Sequence, residues 1–256
     1  MIEIETVDKF KLQLAKLLNF LWYRSKIRIF RTLSNNIAFG IKVKVDNLIY
    51  VITTYSDIYE ILPGYESKIF DILEEIVKRS NVFIDVGAHI GRYTFPIAKK
   101  HSNLNVIAIE PDPNSYKALI EGIKLNGLNN VIALNLALGE RDGHEFLCRK
   151  HSTAISSITE REECWSTVKI PVQKLDTLVK KLSLTSVDII KIDSEGSEVM
   201  ILKGAKNTLE RFIPYILVEV RRHNYSKFKN FVDSLLYRCE PLITGSIDDV
   251  FYCYPK

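Results

Sequence analysis

From residue 82 onward, short and mostly apolar runs alternate with stretches whose apolar residues recur at helical spacing. The runs are Val82–Ile84, Val106–Ile109, Val131–Leu136, Val187–Ile192 and Tyr215–Val220, with a last one at Val250–Tyr254. Runs of this kind suit strands buried on both faces of a parallel sheet. Ile69, Ile72, Leu73 and Ile76 share one face of a helix spanning 65–79, and further helices are predicted over 92–100, 115–126, 175–182 and 225–237 and after Glu198. The rhythm is that of an α/β fold. It begins near residue 63, where Pro63-Gly64 punctuates the chain.

Two stretches depart from this rhythm. Residues 1–62 read as an extension to the main unit at 63–256. Within it, Ile41, Val43 and Val45 alternate with Lys42 and Lys44, Asp46-Asn47 makes a turn, and Leu48–Thr53 returns as the second strand of a hairpin. Before the hairpin, Leu14, Leu17, Leu18 and Leu21 mark a helix within residues 8–33, with Asp8 placed to cap its start. The other departure is 139–172, where Glu145–Cys148 and Val168–Val172 read as short strands around a polar loop at 150–166. A loop of that length is often a lid or a substrate element.

Charge sharpens the view of the extension. The chain of 256 residues carries +4, yet no acidic residue and nine basic ones lie between Lys9 and Val45. Phe10, Phe20, Trp22, Ile29 and Phe30 are interleaved with these charges. One reading is a basic amphipathic helix lying on an anionic membrane surface; the other is a helix packed on the main unit with a solvated basic face. The uncharged run Leu17–Tyr23 is far short of the ~20 residues that cross a bilayer. No secretory leader follows the basic start, and none of Cys148, Cys164, Cys239 and Cys253 forms a C-x-x-C pair. A cytoplasmic, reducing setting is expected, at most peripheral to the inner membrane surface. Cys239 and Cys253 would face each other if 238–254 is a hairpin. A hydrophobic fraction of 46% excludes a globally disordered chain.

The chemistry concentrates after the strands. VFIDVGAHIGRYT at 82–94 is a strand ending in Asp85, a turn bracketed by Gly87 and Gly91, and the start of a helix. Glycine admits close backbone approach, and a helix start offers free N–H groups. The spacing Asp-x-Gly-x-x-x-Gly is not the Gly-x-Gly-x-x-Gly of a dinucleotide site. A leading carboxylate suits a cofactor bearing a cationic amino group, which points to S-adenosylmethionine. Glu110 closes the second run 19 residues after Gly91, where a carboxylate accepts both hydroxyls of a ribose. Asn135 ends the third, where an amide could read an adenine edge. Asp193, Ser194, Glu195 and Glu198 follow the fourth, at the end where open α/β sheets bind ligands, and His223 follows the fifth.

Four stretches, FIDVGAHIGRYT (83–94), AIEPDPNSYKAL (108–119), ALNLALGERDG (133–143) and KIDSEGSEVMILKGA (191–205), resemble the FkbM family of S-adenosylmethionine-dependent methyltransferases in order and spacing. The resemblance covers about residues 65–223. It implies a class I methyltransferase, Rossmann-like: a mostly parallel seven-stranded sheet with helices on both faces. It implies cofactor contacts from Asp85, Gly87 and Gly91 at the methionine end, Glu110 at the ribose and Asn135 near the adenine. Glu66, Thr94 and Ala137 join them from matching positions. His89 stands where the family usually has Asn, and a protonated imidazole would disfavour a sulfonium nearby.

Methyl transfer to a hydroxyl needs a base, for which Asp193 is the first candidate, with Glu195 and His223 behind it. The same carboxylates could instead hold a divalent metal that lowers the hydroxyl pKa. Glu198 reads better as a complement to its helix start. The expected reaction is O-methylation of a sugar, a lipid-linked glycan or a small natural product. A dehydrogenase using NAD, or a non-catalytic binding protein of the same fold, are the rivals. A nucleic-acid substrate is not favoured, since no aromatic-flanked target-base motif is visible. The acceptor and the oligomeric state are not written in the sequence.

Overall fold

The computed structural model describes residues 2–4, 6–26, 28–149, 164, 166–245 and 247–256. The N-terminal part runs β1 (Ile2–Ile4), α1 (Thr6–Ser25), α2 (Arg28–Ala38), β2 (Lys42–Val45), β3 (Leu48–Val51) and α3 (Asp57–Glu60). There follow α4 (Ser67–Ile76), β4 (Val82–Val86), α5 (Thr94–Lys100), β5 (Asn105–Ile109), α6 (Pro113–Asn126) and β6 (Val131–Leu134). Next come β7 (Ala137–Leu138), β8 (Gly143–Arg149), β9 (Ser166–Gln173), α7 (Leu175–Lys181), β10 (Ile189–Ile192), α8 (Glu198–Gly204) and α9 (Lys206–Phe212). The chain ends through β11 (Tyr215–Arg221), α10 (Tyr225–Asp233), β12 (Tyr237–Thr244) and β13 (Asp248–Pro255).

The central sheet has seven strands in the order β12-β13-β11-β10-β4-β5-β6. The five strands from β11 to β6 are parallel, and β13 and β12 join antiparallel. This is the α/β sheet expected. Alternate residues of each strand feed two cores, as a period of two requires. Phe83, Val106 and Leu217 face one, with Phe95 and Leu119 from α5 and α6. Ile84, Val86, Ile107, Ile190 and Val218 face the other, with Leu178, Ile201, Leu209 and Phe228. Because β5 leaves one side of β4 and β10 pairs on the other, the strand order reverses at β4, and a crevice opens at the carboxyl ends there.

The N-terminal part packs on the first core. Ala15, Ala38, Ile41, Val43, Tyr50 and Ile52 are buried in one cluster with Phe83 and Phe95. Asn126, ending α6, clasps β3 by accepting the Ile49 N–H at 2.8 Å and donating to its carbonyl at 2.7 Å. The single helix expected within 8–33 is two: the break follows Lys26, which takes a left-handed φ of 58°. Asp8 sits in the first turn of α1, and its carboxylate accepts the Lys42 N–H at 3.2 Å, tying α1 to β2.

β7, β8 and β9 form a small separate sheet. Apart from Cys164 and Ser166, the loop expected as a lid at 150–166 lies outside the described residues. Cys239 and Cys253 do face each other across β12 and β13 and form a disulfide; a second joins Cys148 of β8 to Cys164. The four cysteines, for which the sequence suggested a reducing setting while leaving the Cys239–Cys253 pair open, are therefore paired, and no described cysteine is free. No helix among the described residues is long and apolar enough to cross a membrane.

Candidate active site at the ends of β4, β5 and β10

The glycine turn after β4 is shaped first by packing. Gly87 has φ 79°, and a Cβ there would come within 1.8 Å of the Asp193 carbonyl oxygen on the chain leaving β10. Gly91 has φ 95°, and a Cβ there would enter the Phe95 ring at 2.3 Å. Only glycine fits either place. Gly87 and Ala88 donate to the Ile109 carbonyl at 2.9 and 3.0 Å, and Asp193 donates to that of Val86 at 3.0 Å. The ends of three adjacent strands are thus bolted together around one crevice.

That crevice holds an open cleft with about 710 Å³ of space between its walls, solvent included. Val86, Ile109, Leu136, Leu138 and Leu147 give it apolar walls. Its polar wall comes from Glu60, Gly87, His89, Glu110, Asp193, Ser194, Glu195 and Ser197; Pro111, Ala137 and Ile201 also line it. The Ser194 and Ser197 hydroxyls are buried with no hydrogen-bond partner among the described residues, which leaves two donors and acceptors for a ligand. Apolar walls for a purine, a carboxylate for a diol and unsatisfied hydroxyls fit S-adenosylmethionine. Glu110 accepts N–H bonds from His89 and Asp112, each at 2.8 Å, and burial pushes its pKa up to about 7 against the pull of His89.

His89 is the departure the sequence left open, and the structure supplies its counter-charges. Its ring lies 3.3 Å from Glu60 and 3.9 Å from Asp57, both on α3. Asp57 is fully buried and held by the Thr53 and Thr54 N–H groups at 2.6 and 3.0 Å. Burial works against a charged imidazole, but Asp57, Glu60 and Glu110 outweigh it and raise the pKa to about 10. The cation is embedded among three carboxyl groups, so it does not present an uncompensated positive charge to a sulfonium.

Asp193 carries a carboxylate about one-third exposed on the cavity wall, and Lys191 reaches its Oδ2 at 3.2 Å. Lys191 is buried, which lowers its pKa, but Asp193 and Asp85 more than compensate and keep the ammonium charged. Glu195, at φ 52°, is held by Arg221, whose other nitrogen lies 3.4 Å from Asp248. Burial, then the Asp193 charge, raises Glu195 to about 8 against Arg221. Glu219 faces the same group; Asp193, then burial, raises it to about 10. No described cluster of three or more His, Cys, Asp or Glu is arranged to hold a metal ion.

Not every expected residue reaches the wall. Asp85 is fully buried, accepts the Thr94 hydroxyl at 2.7 Å and lies 3.8 Å from Lys191; burial raises its pKa. Asp85 and Thr94 therefore brace Lys191 from behind, and the cavity does not touch them. Gly91 is likewise inside the turn. Asn135 donates to the Glu110 and Pro111 carbonyls at 2.8 and 3.1 Å, spending its amide on the loop that carries Glu110. Glu66 binds Arg92 at 2.6 Å and accepts the Tyr93 hydroxyl, and it shares a small side pocket with Lys191 and Asp193. His223 is exposed on the turn after β11 and does not line this cavity. Glu198 accepts the Gly196 N–H at 2.6 Å and the Asn224 amide at 3.2 Å.

Sequence reasoning missed Asp57, Glu60, Lys191, Ser197 and Arg221. Lys191 was detectable as a lone cation inside an apolar strand. The pairing of Asp57 and Glu60 with a residue some 30 positions away carried no local signal.

The methyltransferase FkbM domain model matches residues 85–240, more than half of the chain. A hexuronic acid methyltransferase, AglP, of Haloferax volcanii is 27% identical over 155 residues, 60% of this chain and 62% of that protein's length. A tRNA(Phe) (4-demethylwyosine(37)-C(7)) aminocarboxypropyltransferase of Methanocaldococcus jannaschii is 46% identical over 59 residues, 23% of this chain and 24% of its own. The crystal structure of an FkbM methyltransferase from Methylobacillus flagellatus superposes with a TM-score of 0.53 at 18% identity, covering 77% of this chain and 48% of that one, a likeness of fold. With its sheet order, its crevice at β4 and the matched domain, the chain belongs to the FkbM family of S-adenosylmethionine-dependent methyltransferases.

Proposed function

We propose that the protein methylates a hydroxyl group of a sugar, free or carried on a glycan, with Asp193 as the base. The observation that carries this reading is the Asp193 carboxylate on the wall of the cavity that Gly87 and Glu110 also line, held by Lys191. Similarity to a hexuronic acid methyltransferase over 60% of the chain supports a sugar as the acceptor. S-adenosylmethionine supplies a methyl group on a cationic sulfur, open to in-line displacement. Glu110 would hold the ribose, Ser194 and Ser197 would meet the remaining polar edge, and the apolar wall from Ile109 to Leu138 would exclude water. Asp193 takes the hydroxyl proton as the acceptor oxygen bonds to carbon. Lys191, 3.2 Å from its Oδ2, fixes the orientation of Asp193. Glu195, raised to about 8, is largely protonated at neutral pH and can donate a hydrogen bond to the acceptor.

The test is transfer of labelled methyl to hexuronic acid glycosides, with the product treated with alkali. A methyl ether survives alkali, and Asp193→Asn lowers kcat by about 10²–10⁴-fold while leaving cofactor affinity near wild type. A product cleaved by alkali is a methyl ester. A carboxylate acceptor needs no base, so that product together with a wild-type rate in Asp193→Asn would overturn the proposal.

A further inference from the structure

α1 is amphipathic on the side that faces away from the protein. At 100° per residue, Asp8, Leu12, Ala15, Asn19 and Trp22 share one face, and Ala15, fully buried, seats that face on the body. Phe10, Leu14, Leu17 and Leu21 fall on the opposite face at the spacing i, i+4, i+7, i+11. Phe10 is 71% exposed, Leu17 53% and the adjacent Phe20 57%. An outward apolar stripe is not what a helix packed by one face presents. Its shoulders are basic: Lys9, Lys11, Lys16 and Arg24 are exposed. At the end of α1 the Lys26 ammonium lies 4.8 Å from the Trp22 ring and 4.5 Å from that of Tyr23, which is 66% exposed. Ile29 and Leu33 of α2 extend the exposed apolar surface.

We infer that this outer face of α1 and the start of α2 docks the protein, lying flat, on an anionic lipid bilayer. The pattern suits that partner: aliphatic and aromatic side chains enter the acyl boundary, lysines flank them at headgroup level, and the Trp–Tyr–Lys cluster sits at one end. At 1.5 Å per residue, α1 offers about 30 Å of contact. Charge complementarity favours an anionic surface, since no acidic residue lies between Lys9 and Val45. A nucleic acid would meet the charges but would leave a stripe of leucines with no partner. The inference is independent of the acceptor, because no residue of α1 or α2 lines the cavity.

Co-sedimentation of the full chain with vesicles tests it, using phosphatidylcholine alone and phosphatidylcholine with phosphatidylglycerol, each at low and high salt. Wild type is expected to pellet with the anionic vesicles at low salt, to be released by high salt, and to stay in solution with neutral ones. Each Lys→Gln change at 9, 11 or 16 is expected to lower partitioning by about fivefold, and Leu17→Asp to abolish it. S-adenosylmethionine binding, measured on the same variants, should be unchanged, which shows that the fold is intact. Equal binding to both vesicle types, or binding to neither, overturns the inference. So does dimerisation that Leu17→Asp removes, which would give the face to a second copy. Retention of RNA with the same salt and lysine dependence, without vesicle binding, would give it to a nucleic acid.

Discussion

His89 shows how the site handles charge. Its pKa of about 10, against an ordinary 6.5, makes a prediction with a definite sign. A histidine whose pKa rises on folding contributes stability that is complete below its unfolded value and is lost as pH climbs to the folded one. The protein should therefore lose stability between about pH 6.5 and 10. Glu110, raised from 4.5 to about 7, adds a loss in the same direction at lower pH. In His89→Asn the slope above pH 6.5 should flatten, and the variant should be less stable below it, because Asp57 and Glu60 lose their cation. Urea unfolding at several pH values reads this out; parallel curves for the two proteins would mean the buried ring is neutral. Asp85 makes the complementary case. It supports Lys191 from behind the wall, so Asp85→Ala should cost about 1–3 kcal/mol of stability and weaken cofactor binding less than a change at Glu110. A large loss of affinity at unchanged stability would put Asp85 in direct contact with the cofactor.

At the level of elements, strand ends and turns do the positioning. The clasp of Asn126 on β3 joins two parts of the chain by both polar ends of one amide. Asn126→Ala should destabilise the whole protein by about 1–3 kcal/mol in a single transition. A separate early transition of the N-terminal part, with the main one unmoved, would show that the clasp does not couple them. Much of this level was legible in the sequence, because buried strands and Asp-ended runs have strong local signatures. The hairpin of β2 and β3, the turn at Gly87 and the clustering of Glu110, Asp193 and Glu195 around one crevice all follow from them. What was not legible depended on long-range packing. Asn135 and Asp85 carry the residue types of ligand contacts, yet the Asn135 amide N–H groups bind the loop that carries Glu110 and one Asp85 oxygen accepts from Thr94 behind the wall, which no spacing rule reveals. His223 lies next to a strand end in sequence, but the turn there swings it to solvent.

For the molecule as a whole, the change of architecture at residue 62 is not a change of core. Ile41, Val43, Tyr50 and Ile52 are buried with Phe83 and Phe95, and α3 brings the carboxylates that flank His89. We therefore propose that residues 1–62 fold with the rest as one unit. Removing them should leave a chain that neither unfolds cooperatively nor binds the cofactor, as calorimetry and circular dichroism would report; a truncated chain with native melting would contradict this. The central claim is that the crevice between β4, β5 and β10 is the cofactor site. Calorimetric titration of S-adenosylmethionine into wild type and Glu110→Ala tests it most directly. The account predicts one site in wild type and an affinity about 10–100-fold weaker in the variant, titrated at a temperature where both proteins are folded. Equal affinity in the two proteins, with both folded, would contradict it.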